Sequence, residues 1–309
     1  MLRRGMIMLS RSSAIKHVAA TAPISRRVVS RFVPGEETAD AVRAATELAA
    51  LGFTSTIDHL GEDTLAAEQA TATVKAYLDL LDALAEKGLA DRAEVSVKLS
   101  AVGQALADSG DTFALDNAAQ ICAKAAEVGT TVTLDMEDHT TTDSTLSILT
   151  ELRRDFPMTG GVLQTQLRRT EGDVRDLAYE GSRVRLCKGA YQEPDSVAFT
   201  SRQEIDRAYV RSLKLLIDSP AYPMIATHDP RLIDIAAVLA VRADRTQDSM
   251  EYQMLYGVRP DEQGRLAAQG NRVRVYVPYG DEWYGYLVRR MAEKPANVML
   301  FLKSLTSRR

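Results

Sequence analysis

From about residue 38 onward the chain alternates between two hydrophobic rhythms: apolar residues at spacings of three and four, and short runs rich in Val, Ile and Leu. The clearest helix spans roughly 63–87. There Val74, Leu78, Leu81 and Leu84 mark one stripe, and Gly88 follows as a left-handed stop. The short runs predict eight strands at 53–57, 94–99, 131–135, 162–166, 183–187, 224–227, 251–255 and 272–277. Helical patterns fall between them near 112–128, 142–155, 170–180, 202–217, 230–243 and 259–268, with a last one near 282–293. Eight strands, each followed by a helix, is the count of a (β/α)8 barrel, an α/β fold. A doubly wound open sheet is the alternative, but no Gly-x-Gly-x-x-Gly follows a strand to make it nucleotide-binding.

Within the strands a finer pattern stands out. Val95, Val97 and Leu99 alternate with Ser96 and Lys98; Val132 and Leu134 alternate with Thr131, Thr133 and Asp135. Strand side chains point to opposite faces at period two. With helices outside, the aliphatic set faces them and the polar set, including Lys98, Asp135, Arg185 and Tyr276, lines the barrel. Ordinary barrel interiors are filled by Val, Ile and Leu, and buried charges need partners. A solvated face of an antiparallel sheet also alternates in this way, but the intervening helices speak against it. A large polar ligand at the barrel mouth explains the pattern better.

Composition changes little. A chain of 309 residues with 45% hydrophobic residues supports a large core and excludes a disordered tail protein. Two cysteines, Cys122 and Cys187, make no disulfide framework and no Cys-x-x-Cys pair for structural zinc. No apolar run approaches the roughly 18–20 residues that cross a bilayer. The net charge of −4 hides an asymmetry: residues 1–35 carry seven cations and no acid, leaving −11 on the remainder. A basic, acid-free start reads as a transit peptide, as a basic arm for an anionic surface, or as amphipathic helices packed on the domain through Met6, Ile7, Met8 and Leu9. The packed helices are favoured. The acidic body argues against nucleic acid.

The polar residues gather at the carboxyl ends of their strands, where barrel enzymes build their sites. Lys98, Asp135, Gln164, Gln166, Arg185, Lys188, Thr227 and His228 all do so, and Gly189 beside Lys188 permits close backbone approach to a phosphate. In the last helix Tyr286, Arg289, Arg290 and Glu293 share one stripe, with paired arginines suited to a carboxylate. Taken alone, that stripe also fits a solvated face. Asp135, Glu137, Asp138, His139, His228 and Asp229 form a weaker metal candidate. Lys98 or Lys188 could form a Schiff base, though a neighbouring Asp135 keeps the Lys98 pKa high.

Together, Val95-Ser96-Val97-Lys98-Leu99-Ser100, Leu134-Asp135-Met136-Glu137, Arg185-Leu186-Cys187-Lys188-Gly189-Ala190-Tyr191, Ala226-Thr227-His228-Asp229 and Tyr286-Leu287-Val288-Arg289-Arg290-Met291-Ala292-Glu293 resemble the proline dehydrogenases. The likeness starts near Arg31-Phe32-Val33-Pro34-Gly35-Glu36 and runs in order to the carboxyl end. The chain is similar to the single-function bacterial members, without the aldehyde dehydrogenase domain of the bifunctional flavoproteins.

The resemblance implies one domain over 1–309: short helices in 1–50, then a distorted (β/α)8 TIM barrel over 51–309 that includes the last helix. It implies a flavoprotein with non-covalent FAD and no catalytic metal, oxidising L-proline to Δ1-pyrroline-5-carboxylate. A membrane quinone would take the electrons, a separate pyrroline-5-carboxylate dehydrogenase the product, and the protein would be cytoplasmic, peripheral on the inner membrane face. Lys98, Arg289 and Arg290 would bind the substrate carboxylate, while Tyr191, Leu255, Tyr276 and Tyr286 wall its ring. Asp135 would orient neighbouring groups, and Arg185 would stand by flavin N5. Met136, Gln164, Arg185, Lys188, Gly189, Ala190, Thr227, His228 and Gln253 match FAD-contacting positions, and Glu62 resembles a gating residue that pairs with the first arginine. Two departures stand out: Asp229 replaces an Asn of some relatives, and the loop between Tyr276 and Tyr286 is short.

Overall fold

The computed structural model describes residues 29–107 and 109–287. Helix α1 (Thr38–Ala50) precedes eight strands: β1 (Thr54–His59), β2 (Ala93–Lys98), β3 (Val132–Asp135), β4 (Gly160–Gln164), β5 (Arg183–Cys187), β6 (Tyr222–Ala226), β7 (Glu251–Leu255) and β8 (Val273–Tyr279). Between them run α2 (Ala67–Glu86), α3 (Gly110–Val128), α4 (Thr142–Asp155), α5 (Thr170–Leu177), α6 (Arg202–Ile217), α7 (Pro230–Arg242) and α8 (Pro260–Ala268). All strand pairs are parallel, and β8 returns to β1 over six residue pairs, which closes the barrel and excludes the open sheet. All the early cations but Arg31 and the predicted packing face at Met6–Leu9 lie outside the described residues, as do Arg289, Arg290 and Glu293. Among the described residues no helix is long and apolar enough to cross a membrane.

The two faces of each strand behave as the alternation predicts. Val95, Val97, Leu134, Val184, Leu186, Val275 and Val277 are buried against helix residues such as Leu81, Leu84, Ile121 and Leu213. In α2 the buried stripe is Ala70, Val74, Tyr77, Leu80, Leu81 and Leu84, with Leu78 only partly covered. That helix begins four residues later than its hydrophobic pattern suggests. The reason is local: Ser100 holds the preceding loop, its Oγ accepting from Asp63 N–H at 3.0 Å and its carbonyl from Thr64 N–H at 3.1 Å. At the other end Gly88 adopts φ +64°, and Leu89 N–H reaches back to the Leu84 carbonyl at 2.9 Å, closing the helix as expected.

The barrel interior is polar through its depth, and most of that polarity is paired within the chain. Near the amino end Arg183 Nη2 lies 2.6 Å from Glu94 Oε2, and Arg274 Nε lies 2.8 Å from Glu251 Oε1. Thr56 and Thr131 each donate to Glu94 at 2.8 Å. This charged floor replaces the usual aliphatic layer, so a ligand is not needed to explain the amino-terminal half of the polar lining. Such a floor costs desolvation and stabilises only while its pairs stay intact.

A strap runs beside the carboxyl end of β1. Phe32, Val33 and Leu60 pack with Trp283, Tyr284, Tyr286 and Leu287 in a small separate core, and Trp283 Nε1 donates to Glu36 Oε1 at 2.8 Å. The helical turn at 283–287 therefore packs beside Leu60, which directly follows β1 in the loop that carries Glu62.

Candidate active site

Above the floor, two ion-paired groups occupy the carboxyl ends of β1, β2, β3, β5 and β8. Lys98 ends β2, and its Nζ lies 2.6 Å from Asp58 Oδ2, with side chains 9% and 1% exposed. Burial alone would lower the Lys98 pKa; Asp58, then Asp135 and Glu62, outweigh it and hold the ammonium above its ordinary value. Burial conversely raises the Asp58 carboxyl, against the pull of Lys98. The expected neighbour, Asp135, is the register partner of Lys98 across β2 and β3, but the ammonium bonds Asp58 instead. Sequence reasoning missed Asp58, which stands one residue beyond the predicted end of the first strand.

Arg185 of β5 organises the second group. Its Nη1 donates to Asp135 Oδ1 at 2.6 Å and to Ser96 Oγ at 3.0 Å, and its Nε donates to Gln253 Oε1 at 2.5 Å. Tyr276 donates to the other Asp135 oxygen at 2.7 Å, and the guanidinium carbon lies 5.4 Å from the Tyr276 ring centre. Asp135 thus orients both Arg185 and Tyr276. The predicted cluster of Asp135, Arg185, Tyr276 and Lys98 is one continuous layer.

The loops beyond the strands carry the remaining candidates. Gln164 donates to the Glu137 carbonyl at 2.6 Å, and Met136 between Asp135 and Glu137 is buried. Gly189 has φ +102°, and a Cβ there would fall 2.4 Å from the Gln166 side chain, so only glycine fits. Ala190 and Tyr191, which follow it, and Leu255 at the end of β7 are half-buried. Lys188 is 2.5 Å from Asp206 and 3.2 Å from Asp229, which in turn binds Arg231, so its charge is already shared with carboxylates. Asp229 also caps α7, its carboxylate accepting from Arg231 N–H. Buried Thr227 Oγ1 accepts from Asp229 N–H at 3.1 Å, and His228 Nε2 accepts from Leu255 N–H at 2.9 Å. Gln253 is enclosed between Arg185 and Glu251, so its amide is committed to the protein. Tyr286 lies in the strap core, and Glu62 is half-buried and close enough to raise the Lys98 pKa.

The metal candidates diverge. Glu137 turns to Ser100, His139 pairs with Glu193 at 2.5 Å, and His228 faces β7. Among the described residues no group of three His, Cys, Asp or Glu side chains converges. A charged, paired Lys98 is likewise a poor amine nucleophile.

Glu137 has a pH consequence. Ser100 donates to it from N–H at 3.0 Å and from Oγ at 2.6 Å, but burial pushes its carboxyl up to about 7. The folded protein therefore keeps a proton that the unfolded chain releases above about pH 4.5. That contribution is complete below about pH 4.5 and is lost as pH rises through about 7, by up to about 3 kcal/mol. Glu137→Gln should flatten this slope, read as a smaller fall in the urea midpoint between about pH 5 and about pH 8. Equal falls in both proteins would contradict it.

Comparison with known proteins identifies the family. The proline dehydrogenase family model matches residues 41–301. The chain is 39% identical over 277 residues to proline dehydrogenase of Deinococcus radiodurans, covering 89% of each chain. It is 35% identical over 305 residues to proline dehydrogenase 1 of Bacillus subtilis strain 168, covering 99% of each. Among solved structures, proline utilization A from Bdellovibrio bacteriovorus, inactivated by N-propargylglycine, superposes with a TM-score of 0.80 at 25% identity. That match covers 92% of this chain and 34% of the other. On the family match and the identities over nearly its full length, the chain belongs to the proline dehydrogenase family.

Proposed function

We propose that the protein oxidises L-proline across its C5–N bond to Δ1-pyrroline-5-carboxylate, with non-covalent FAD as the hydride acceptor and a membrane quinone as the onward electron acceptor. The observation that carries this reading is the paired layer Lys98–Asp58 and Arg185–Asp135–Tyr276 at the carboxyl end of the barrel of a family member.

The donor set fits a polar ligand of this kind. Asp58 Oδ1, Thr165 Oγ1 and Arg185 Nη2 are buried without hydrogen-bond partners, the last with only Glu94 at 3.7 Å. The left-handed Gly189 with Lys188, and the loops carrying Met136, Gln164, Thr227 and His228, would hold the cofactor. Bound FAD supplies the two-electron acceptor that the side chains lack.

The remaining work falls to the chain. Lys98, kept charged by Asp58, together with Arg289 and Arg290, would clamp the substrate carboxylate and fix the ring for transfer. Tyr191, Leu255, Tyr276 and Tyr286 would exclude water from the ring, and Glu62 would pair with Arg289 to close the site. Arg185 would place fixed positive charge where negative charge develops, without reorganisation. The seven cations of residues 1–35 would favour peripheral contact with an anionic membrane surface, and a separate pyrroline-5-carboxylate dehydrogenase would consume the product.

The test is a visible spectrum of the purified protein before and after anaerobic L-proline. A flavin band that bleaches with proline supports the substrate and the cofactor together; a band that ignores proline overturns the substrate, and no band after added FAD overturns the cofactor. In Arg185→Met the bleaching rate should fall while FAD remains bound; an unchanged rate removes Arg185 from the chemistry.

A further inference from the structure

Gln253 stands on β7 between two partners of opposite kind. Its Oε1 accepts from Arg185 Nε at 2.5 Å, and its Nε2 donates to Glu251 Oε1 at 2.6 Å. A guanidinium can only donate and a carboxylate can only accept. The amide therefore has one orientation; turned over, it would set N–H against N–H and oxygen against oxygen. Glu251, 1% exposed, is itself fixed from the floor: the same Oε1 takes Arg274 Nε at 2.8 Å, and Oε2 takes the Tyr222 hydroxyl at 3.2 Å. A directional row thus runs up β7, in which Arg274 and Gln253 both donate to Glu251 and Arg185 donates to Gln253.

We propose that Glu251 and Gln253 are positioning residues that set the direction of the Arg185 guanidinium from the amino end of the barrel. Ser96 and Asp135 hold Nη1, and Glu94 stands 3.7 Å from Nη2; the Gln253 bond to Nε adds the third point, which fixes the guanidinium plane. The buried Nη2, which has no hydrogen-bond partner and lies 3.7 Å from Glu94 Oε1, is then held in one direction. This deepens the reading of Arg185 as the flavin-side cation and rests on it for one of the two readouts below. It also separates two roles for Glu251. As a neutraliser of Arg274, its charge matters; as an end stop for Gln253, an oxygen at the Oε1 position matters.

The experiment compares Gln253→Leu, Glu251→Leu and Glu251→Gln. The first readout is hydrogen exchange of the Arg185 Nε–H in protein without cofactor, labelled with nitrogen-15 arginine and assigned through Arg185→Lys. Loss of a charge-assisted bond should speed exchange by about tenfold or more in both Leu variants. Glu251→Gln keeps the oxygen and should exchange close to the wild-type rate. The second readout is the midpoint potential of bound FAD, which should fall in the Leu variants and hold in Glu251→Gln. Unchanged exchange in Gln253→Leu, which removes no charge and tests the row even where Glu251→Leu does not fold, overturns the proposal. Glu251→Gln as damaging as Glu251→Leu overturns the part assigned to Glu251. Faster exchange with an unmoved potential keeps the positioning role and instead rejects Arg185 as the flavin-side cation.

Discussion

Replacing Glu94 with glutamine should destabilise the folded protein by about 3–5 kcal/mol, because it breaks a buried ion pair from one side only. Glu94 is 1% exposed and lies 2.6 Å from Arg183, 3.7 Å from Arg185 and 3.8 Å from Arg274. Burial alone would raise its carboxyl pKa, but the guanidinia of Arg183, Arg274 and Arg185 overcome that and hold it well below the usual carboxylate range. The sign follows: this contribution is present above the unfolded value of about 4.5 and is lost as pH falls below it. A glutamine keeps the shape but sets an N–H toward donors and leaves the guanidinia short of charge. The measurement is the urea midpoint near neutral pH, with an unchanged slope to show that two-state unfolding persists. Changing Glu94 to Leu and Arg183 to Met together should recover part of the loss, since a paired removal leaves fewer orphaned charges. A glutamine variant with the wild-type midpoint would refute the load assigned to this carboxylate.

The second large effect belongs to Lys98. On the proposed reading, Lys98→Met removes a buried cation from the substrate carboxylate, and KM for L-proline should rise by an amount equivalent to about 2–5 kcal/mol. It also strands Asp58, whose remaining oxygen already has no partner, so stability should fall as well. The two losses can be separated. Lys98→Met with Asp58→Asn should restore most of the stability and none of the substrate affinity. A KM that returns with the double change would make Lys98 a structural partner of Asp58 and nothing more.

Much of this arrangement can be read from the sequence because strand alternation is a local signal. The inward positions Ser96, Lys98, Asp135, Arg185 and Tyr276 follow from period two alone, and eight strand-helix repeats imply a closed barrel. What stayed hidden depends on contacts across the chain. Glu94 reads as the first residue of a strand; its role comes from Arg183, 89 positions away. β4 begins at Gly160, two residues before Val162, where its apolar pattern starts. Glycine has low strand propensity, but a Cβ at Gly160 would lie 2.6 Å from Thr133 Oγ1, and one at Gly161 would lie 2.4 Å from Leu149. Close approach selected those glycines and moved Gln166 out of the strand into the loop beneath Gly189. Asp58 was concealed by the same boundary problem at β1. The partner chosen by Lys98 could not be read from composition, since either Asp58 or Asp135 satisfies it on paper.

The strap beside β1 has a practical corollary. Trp283 is the only tryptophan in the chain, and its indole N–H is tied to Glu36 within the small core of Phe32, Val33, Leu60 and Tyr286. Intrinsic emission excited through tryptophan therefore samples one place, the seam where the start of the described chain crosses the end of the barrel. Far-UV circular dichroism, by contrast, averages over every helix and strand. A denaturant titration followed by both signals would resolve detachment of the seam from collapse of the barrel, because the first shifts the emission colour while ellipticity stays constant. The protein thus carries its own fluorophore in the seam beside Leu60, and opening there can be watched without attaching a dye.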